Sequence, residues 1–171
     1  RQADPSEGPF SAAARSRHRL AAGRPGPDFH DLPPCLERLW LMTSPPEIDL
    51  MRRAGNMTAP AVLEAVRSTK PGVMEFQLGA IADYIYLVNG AKGGAYRSII
   101  PGGKGVWNGH YYRNNRALAY GDLMLMDYAP DVGCYTREIG RIWPANGQYS
   151  ARRREVFGYI VQYHKLYRGE H

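Results

Sequence analysis

Residues 123–141 read LMLMDYAPDVGCYTREIGR, the pattern of a β-hairpin whose first strand ends in an acid. Four apolar residues precede Asp127, and a Pro-Asp-Val-Gly sequence then supplies residues that favour chain reversal. A symmetric turn has its midpoint between Val132 and Gly133 and places Asp127 directly opposite Glu138, with Cβ atoms about 4.5–5.5 Å apart. Opposed like charges destabilise a sheet, whereas a bridging divalent cation reverses the sign of that interaction. The spacing therefore predicts half of a two-metal site; the alternative is a turn acid and a solvent-facing acid.

The composition is that of a folded domain. The chain has 171 residues, of which 44% are hydrophobic and 22% charged. No apolar stretch approaches the ~20 residues that a membrane span requires, so we expect a soluble protein without a membrane partner. The net charge of +6 is concentrated near the C-terminus, in Arg152, Arg153, Arg154, Lys165 and Arg168. No nucleic-acid-binding motif accompanies these residues, so we expect a solvated helix face and no nucleic-acid partner.

The N-terminal part differs from the rest of the chain. Residues 1–36 are rich in Arg, Pro and Gly, and only residues 11–22 have helical spacing. This part is predicted to be a linker or the remnant of a preceding N-terminal domain, and residues 37–171 are predicted to form the main domain. Cys35 and Cys134 lack the spacing of a metal knuckle or a disulfide framework, which predicts two free thiols.

Two amphipathic helices are predicted before the hairpin. Ser44, two prolines and Glu47 form the pattern of a capping box, and apolar residues at helical spacing continue to Ser68. A second set at helical spacing occupies residues 75–88 and is followed by Asn-Gly, a helix-stop signal. These two segments predict a helical layer ahead of the sheet.

The remaining elements are short strands and a final helix. Strands are predicted at residues 95–100 and 107–111, and residues 102–105, GGKG, lack the spacing of a phosphate-binding loop and are interpreted as a hairpin loop. A last helix is predicted after Ser150, with an apolar set of Val156, Tyr159, Ile160 and Tyr163. The order α, α, several β, α indicates an α+β domain.

In this order, the motifs resemble those of the pita-bread metallopeptidases, the family of Xaa-Pro aminopeptidases, prolidases and methionine aminopeptidases. The matching segments are SPPEIDLMRRAG, KPGVMEFQL, GHYYRNN, GDLMLMDYAP and YTREIGRIWPANGQYS. The resemblance extends over about residues 33–167 and is greatest to the Xaa-Pro aminopeptidase branch. It implies the N-terminal half of a pita-bread catalytic domain, with two helices, antiparallel strands and then a helix.

The resemblance also implies a site and a reaction. Asp127 matches the first metal-ligating aspartate of the family, and Glu138 stands where a second aspartate bridges two ions. His110 matches a histidine that contacts substrate and stabilises the tetrahedral intermediate, with Tyr111 beside it as a substrate-binding residue. The implied reaction is hydrolysis of an N-terminal peptide bond, often one that precedes proline, by a hydroxide activated by two divalent ions, Mn²⁺ or Co²⁺.

Two departures from the family pattern qualify this expectation. Glu138 replaces an aspartate and adds one methylene, about 1.5 Å of bond length. The remaining ligands of the family, a histidine and two glutamates, belong to a second half that this sequence does not contain. We therefore expect a cytoplasmic aminopeptidase half that is poorly active or inactive by itself, with a homodimer mate or a complementary second-half chain as partner. The alternative is a pita-bread binding module that has lost catalysis and the metal site.

Overall fold

The structure, a computed structural model, describes residues 32–169 in two compact units that divide after Thr43. The first unit contains helix α1 (Pro33–Leu41), which has proline at its first helical positions. The sequence analysis missed this helix, although a pair of prolines at a first turn is a helix-start signal. The predicted helix at residues 11–22 lies outside the described residues, and the assignment of residues 1–36 to a linker stays a prediction.

Helix α2 (Pro45–Ser68) opens the second unit and confirms the predicted bounds. Its start is the predicted capping box, in which the backbone N–H of Ser44 donates to Glu47 at 2.6 Å. The Glu47 carboxylate also accepts a hydrogen bond from the hydroxyl of Tyr135, at the tip of the hairpin. One carboxylate therefore both caps the helix and connects its first turn to the sheet.

Helix α3 (Glu75–Val88) also has the predicted bounds and packs against α2. It ends at Asn89, and Gly90 follows with φ of 86°, the left-handed conformation that commonly terminates helices. The two helices and the hairpin share one apolar core. Its main members are Ala54, Met57, Ala61, Val62 and Ala65 from α2, Leu78, Ala82 and Tyr86 from α3, and Met124, Met126 and Trp143 from the strands.

The hairpin consists of β1 (Leu123–Met126) and β2 (Arg141–Pro144), which pair in antiparallel register with Met126 opposite Arg141. The predicted hairpin is confirmed, and its alternating burial gives β1 one face toward the core.

The midpoint of the hairpin differs from the prediction by one residue. Val132 bridges Tyr135, which continues the register of the strands and puts the midpoint between Gly133 and Cys134. These two residues have φ values of 63° and 69°, so the tip uses two consecutive left-handed residues. The predicted midpoint, between Val132 and Gly133, was wrong because residue types identify a turn but do not determine which of its residues adopt the left-handed conformation.

The other edge of β1 pairs with residues 94–102 through isolated bridges. Ile99 and Asp127 exchange both backbone hydrogen bonds, at 3.1 and 2.9 Å, and the N–H of Ala95 donates to the carbonyl of Ala129 at 2.9 Å. Between these two pairs, residues 96–98 face a single residue of the opposite strand, so the segment contains a bulge. The predicted strand at residues 95–100 is present only in this interrupted form.

The segment that follows is not a strand. Residues Gly103–Trp107 form a 3₁₀ helix where a hairpin loop was predicted, and the predicted strand at 107–111 is absent from the structure. The physical reason is visible at His110, whose φ of 53° is incompatible with an extended chain.

Helix α4 (Ala151–Tyr167) begins as predicted, because the Ser150 side chain accepts a hydrogen bond from the backbone of Arg153 at 3.4 Å. No residue of α4 is buried in the described part of the chain, and its predicted apolar set is at least 52% exposed. Cys35 and Cys134 are free and exposed. None of the helices within residues 32–169 has the length and apolar character needed to cross a membrane.

Because of Glu47, the folded protein is expected to lose stability at acid pH. Hydrogen bonds from Ser44 and then Tyr135 lower the pKa of Glu47 from its ordinary value of 4.5 to about 2. Between these two pKa values, Glu47 binds a proton more readily in the unfolded chain than in the folded chain. The contribution of ionised Glu47 to the free energy of unfolding is therefore complete above about pH 4.5 and is lost as the pH falls toward 2. Urea unfolding between pH 2 and 6 should show a smaller acid loss for Glu47→Gln than for the parent chain.

The matched control is Asp49→Asn, which removes an exposed carboxylate of the same helix that forms an ion pair with Arg52 at 3.0 Å. This variant should retain the acid loss of the parent chain. An identical pH profile for Glu47→Gln and the parent would contradict the prediction.

Gly94 lies too close to Tyr128 to accept a side chain. A Cβ atom at Gly94 would lie 2.0 Å from the Tyr128 hydroxyl oxygen and 2.4 Å from two ring atoms. The ring cannot retreat easily, because Tyr128 is 5% exposed and donates a hydrogen bond to Asp83. Gly94→Ala should lower the free energy of unfolding by about 1–3 kcal/mol or more.

Gly158→Ala provides the contrast within the same chain. A Cβ atom there meets no heavy atom within 4 Å, and the position lies inside α4. The substitution should stabilise the protein by about 0.5–1 kcal/mol. Equal unfolding free energies for the two alanine variants would show that the contact with Tyr128 is unimportant.

Candidate metal centre

Asp127 and Glu138 meet at the hydroxyl of Tyr96. The hydroxyl oxygen lies 2.5 Å from Asp127 Oδ1 and 3.0 Å from Glu138 Oε2. A hydroxyl has one proton, so it cannot fully satisfy two carboxylates at the same time. In the part of the chain that the structure describes, neither carboxylate forms an ion pair with an Arg or Lys side chain. The three oxygens therefore form a set that attracts positive charge.

The two acids are diagonal neighbours across the hairpin and are not directly opposed. The β1 and β2 register, continued toward the tip, pairs Asp127 with Gly140 and puts Glu138 two residues further along. Diagonal residues have Cβ atoms up to about 7–8 Å apart, which makes the predicted distance of direct opposition wrong. Both acids remain on one face of the hairpin, because a shift of two residues preserves the side on which a side chain lies.

Tyr96 reaches both acids from the bulged segment on the other side of β1. Bulges redirect side chains, and Tyr96 is the first residue of the bulge. Its ring packs edge-on against Tyr128, with centroids 6.0 Å apart. Burial, followed by the contacts with Asp127 and Glu138, raises the pKa of Tyr96 well above its ordinary value. Tyr96 therefore keeps its proton at neutral pH and acts as a donor.

The backbones of both acids are held by neighbouring elements. Asp127 exchanges two hydrogen bonds with Ile99, and the carbonyl of Arg137, which precedes Glu138, accepts a 2.7 Å hydrogen bond from Thr58. Thr58 is fully buried in α2. The carboxylate pair, defined as Asp127 and Glu138, is thus positioned by the core and not by a free loop.

Sequence reasoning missed Tyr96. Its only signal is that it lies in a short segment predicted to pair with the hairpin, and a tyrosine in such a segment is more often a core residue. The bulge that directs its hydroxyl toward the carboxylate pair has no distinctive residue pattern, because residues 96–98 read YRS.

His110 lies in an exposed stacked arrangement. Its ring is nearly parallel to that of Tyr112, at 10° and 6.2 Å between centroids, and the Arg97 guanidinium lies 5.5 Å from the Tyr112 centroid. Among the described residues, His110 makes no hydrogen bond to either member of the carboxylate pair. Its role in substrate contact stays a prediction.

Tyr111 turns away from solvent. Its hydroxyl donates to Glu75 Oε2 at 3.0 Å, and burial together with this carboxylate raises the pKa of Tyr111. Glu75 is fully buried at the start of α3, and sequence reasoning gave it no role. The predicted substrate-binding role of Tyr111 stays a prediction.

The chemistry of this oxygen set suits part of a divalent-cation site. Divalent ions such as Mn²⁺ prefer carboxylate oxygens, and the carboxylate pair converges on one point. Within residues 32–169, no group of three or more His, Cys, Asp and Glu side chains is arranged to hold a metal ion.

Comparison with known proteins finds a matching family, similar sequences and similar solved structures. The sequence profile of metallopeptidase family M24 matches residues 49–167. Xaa-Pro aminopeptidase of Haemophilus influenzae is 33% identical over 135 residues, which cover 79% of this chain and 31% of that protein. The solved structure of Pseudomonas aeruginosa aminopeptidase PepP has a TM-score of 0.77 and 32% identity, and the match covers 86% of this chain and 33% of that chain.

A zinc-substituted Escherichia coli aminopeptidase P in complex with product matches with a TM-score of 0.74 and 30% identity, over 77% of this chain and 30% of that chain. The chain belongs to metallopeptidase family M24, which is a metal-dependent family, and it has part of the pita-bread fold of aminopeptidase P. The predicted family and α+β fold class are confirmed. The chain spans about a third of the length of these relatives.

Removal of the Tyr96 hydroxyl should destabilise the carboxylate pair. A hydrogen bond to a charged group contributes about 1.5–3 kcal/mol, so Tyr96→Phe should lower the unfolding free energy by an amount in that range. Tyr149→Phe is the matched control, since its hydroxyl donates at 2.8 Å to the neutral carbonyl of Ile142; a loss of about 0.5–1.5 kcal/mol is expected there. Urea unfolding at pH 7 measures both.

A double-mutant cycle tests whether the stability loss of Tyr96→Phe comes from the hydrogen bond to Asp127. Tyr96→Phe combined with Asp127→Ala should lose less stability than the sum of the single variants, because both remove the same hydrogen bond. Additive losses of stability would mean that Tyr96 and Asp127 stabilise the protein independently of each other.

Proposed function

We propose that this chain is the N-terminal half of the catalytic domain of a dinuclear metal aminopeptidase that cleaves the N-terminal peptide bond of Xaa-Pro peptides. The observation that carries the proposal is the convergence of Asp127 and Glu138 on one hydroxyl. Membership of a metallopeptidase family and the likeness to Xaa-Pro aminopeptidases support it. The chain alone is expected to be poorly active or inactive, because two carboxylates are fewer than a two-ion site requires.

The residues of this chain have separate roles in the proposal. Asp127 and Glu138 would supply carboxylate oxygens to two divalent ions, with Mn²⁺ or Co²⁺ as the candidates. When bound, such ions lower the pKa of a water molecule and polarise the scissile carbonyl. Tyr96 orients both carboxylates from the bulged segment, and His110, with Tyr111 beside it, contacts the substrate and stabilises the tetrahedral intermediate.

The remaining ligands would come from a second half, encoded in the same polypeptide or in a complementary chain. The substrate would be a peptide, the assembly a homodimer or a pair of complementary chains, and the location the cytoplasm. Of the two proposed ligands, Glu138 requires the larger adjustment of its side chain or backbone to bind a metal ion. Its extra methylene adds about 1.5 Å of reach compared with an aspartate, while metal–ligand distances vary by only about 0.2 Å.

The second candidate function is a pita-bread binding module that has lost catalysis. The specific observation in its favour is that the Tyr96 hydroxyl already contacts both carboxylates, which gives the carboxylate pair a structural partner. In such a module, the pair would stabilise the junction between the bulge and the hairpin, and partner binding would not depend on a cation.

Metal content and cleavage in the full-length protein separate these candidates. Native mass spectrometry after Mn²⁺ addition should show two ions per active site, and Xaa-Pro peptides should be cleaved. Asp127→Asn should lower kcat/KM by at least about 100-fold and reduce the metal count, because loss of a direct ligand exceeds the 10–100-fold effect of outer-shell partners.

Asp131→Asn is the matched control, since Asp131 lies on the same hairpin and its carboxylate accepts a hydrogen bond from the backbone N–H of Cys134, at 2.7 Å. It should keep two ions. Glu138→Asp probes the alternative: a sharp rise in metal affinity and cleavage indicates an impaired enzyme site, whereas no metal binding and no cleavage by the parent or this variant would favour the binding module.

A further inference from the structure

Glu75 is a fully buried carboxylate that the proposed function does not use. It is the first residue of α3 and has 0% exposure. Three donors surround it: the backbone N–H of Gly102 at 2.7 Å from Oε1, and the Tyr111 hydroxyl at 3.0 Å and the backbone N–H of Arg116 at 3.1 Å from Oε2. Its charge is therefore stabilised by neutral donors, together with the N-terminus of its helix.

Burial of a carboxylate in this way is costly. An ionised carboxylate loses a large hydration energy in the interior, and within the described residues no Arg or Lys forms a salt bridge with Glu75. An apolar side chain would avoid that cost but would leave the three donors without this acceptor. Glu75 therefore serves a purpose other than apolar packing, and its hydrogen bonds to the three donors indicate that purpose.

The donors all belong to the loop of residues 102–116. Gly102 and Arg116 are the two ends of this loop, and Tyr111 lies between them. A further hydrogen bond closes the base of the loop, because the Arg116 guanidinium donates to the Gly102 carbonyl at 3.1 Å. Glu75 thus fixes both ends of the loop and one point within it.

His110 lies in this loop, immediately before Tyr111. Its φ of 53° is uncommon for a residue with a side chain and is energetically unfavourable, so the surrounding contacts must maintain it. The hydrogen bond from Tyr111 to Glu75 is the first anchored contact after this strained residue. The imidazole itself is exposed and stacks on Tyr112, so the anchor lies on the buried side of the loop and the ring on the exposed side.

The same loop follows directly after the segment that pairs with β1 and with Asp127. Ile99 exchanges backbone hydrogen bonds with Asp127, and the Pro101 carbonyl accepts one from Leu125 at 3.0 Å, directly before Gly102. The base that Glu75 closes is therefore continuous with the backbone that holds Asp127.

We propose that Glu75 is a positioning residue, which acts through the Tyr111 hydroxyl and the two ends of the loop to hold His110 in its left-handed conformation. The structural part of this inference concerns His110 alone, and its consequence for catalysis rests on the proposed function. Tyr111, in this assignment, uses its hydroxyl to anchor the loop.

The structural part is tested on the 171-residue chain by NMR. Glu75→Gln and Tyr111→Phe should shift and broaden the same signals, the His110 ring C–H and the backbone amides of the loop, and should increase amide hydrogen exchange in the loop at least about tenfold. Glu47→Gln is the control, because it removes another carboxylate that accepts from a tyrosine, at the hairpin tip. The control should leave the His110 signals unchanged.

Tyr111→Phe also covers the case in which Glu75→Gln fails to fold. It leaves the carboxylate with its two backbone donors and removes the hydroxyl contacts of Tyr111 with Glu75 and, at 3.4 Å, with Asn115 of the same loop. Unchanged His110 signals and loop exchange in a folded Tyr111→Phe variant would overturn the inference.

The catalytic consequence is tested in the full-length protein. Glu75→Gln and Tyr111→Phe should lower kcat about 10–100-fold with a smaller change in KM, since small misplacements of a reacting group have effects of this size. In a His110→Ala background, the same substitutions should have no further effect on kcat, because positioning then has no target. A full additional loss in that background would mean that Glu75 affects kcat independently of His110 and would overturn the positioning role. An inactive parent protein would instead contradict the proposed function and leave the NMR result to decide on Glu75.

Discussion

The antiparallel pairing of β1 on both of its edges is the constraint on which the rest of this structure depends. One edge pairs with β2, and the other exchanges hydrogen bonds with residues 94–102 through Ile99 and Asp127. A slip of one residue in either pairing would move each side chain of β1 to the opposite face. Burial of Met124 and Met126 in the core therefore also decides where the Asp127 carboxylate lies.

Polar contacts from the two long helices reinforce this register. Thr58 donates to the carbonyl of Arg137, Tyr86 donates to the carbonyl of Tyr128 at 3.1 Å, and the indole N–H of Trp143 donates to Thr69 at 3.0 Å. Each of these bonds joins a helix to a specific residue of the hairpin. Apolar packing alone tolerates small displacements, whereas a hydrogen bond requires correct distance and angle. The site is thus held in place by directional contacts as well as by burial.

The carboxylate pair and Glu75 are two ways of managing negative charge in one small domain. Glu75 is buried and receives three neutral donors, so its charge is stabilised and it organises a loop. The two carboxylates of the pair share one proton donor, the Tyr96 hydroxyl, so among the described residues hydrogen bonds compensate their charge less fully than that of Glu75.

The sequence by itself predicted helices α2, α3 and α4 and the two acids Asp127 and Glu138, but it predicted neither helix α1 nor a role for Glu75. The capping box at Ser44, the helical spacing of residues 75–88 and the serine cap of α4 are local signals, because each depends on residues within one or two turns. The motif order also determined the family. Only tertiary structure decided that Asp127 and Glu138 are diagonal, that Tyr96 joins them and that Glu75 anchors the loop of His110. These relations depend on strand register, a bulge and contacts between residues up to 42 positions apart, for which the chain carries no local pattern.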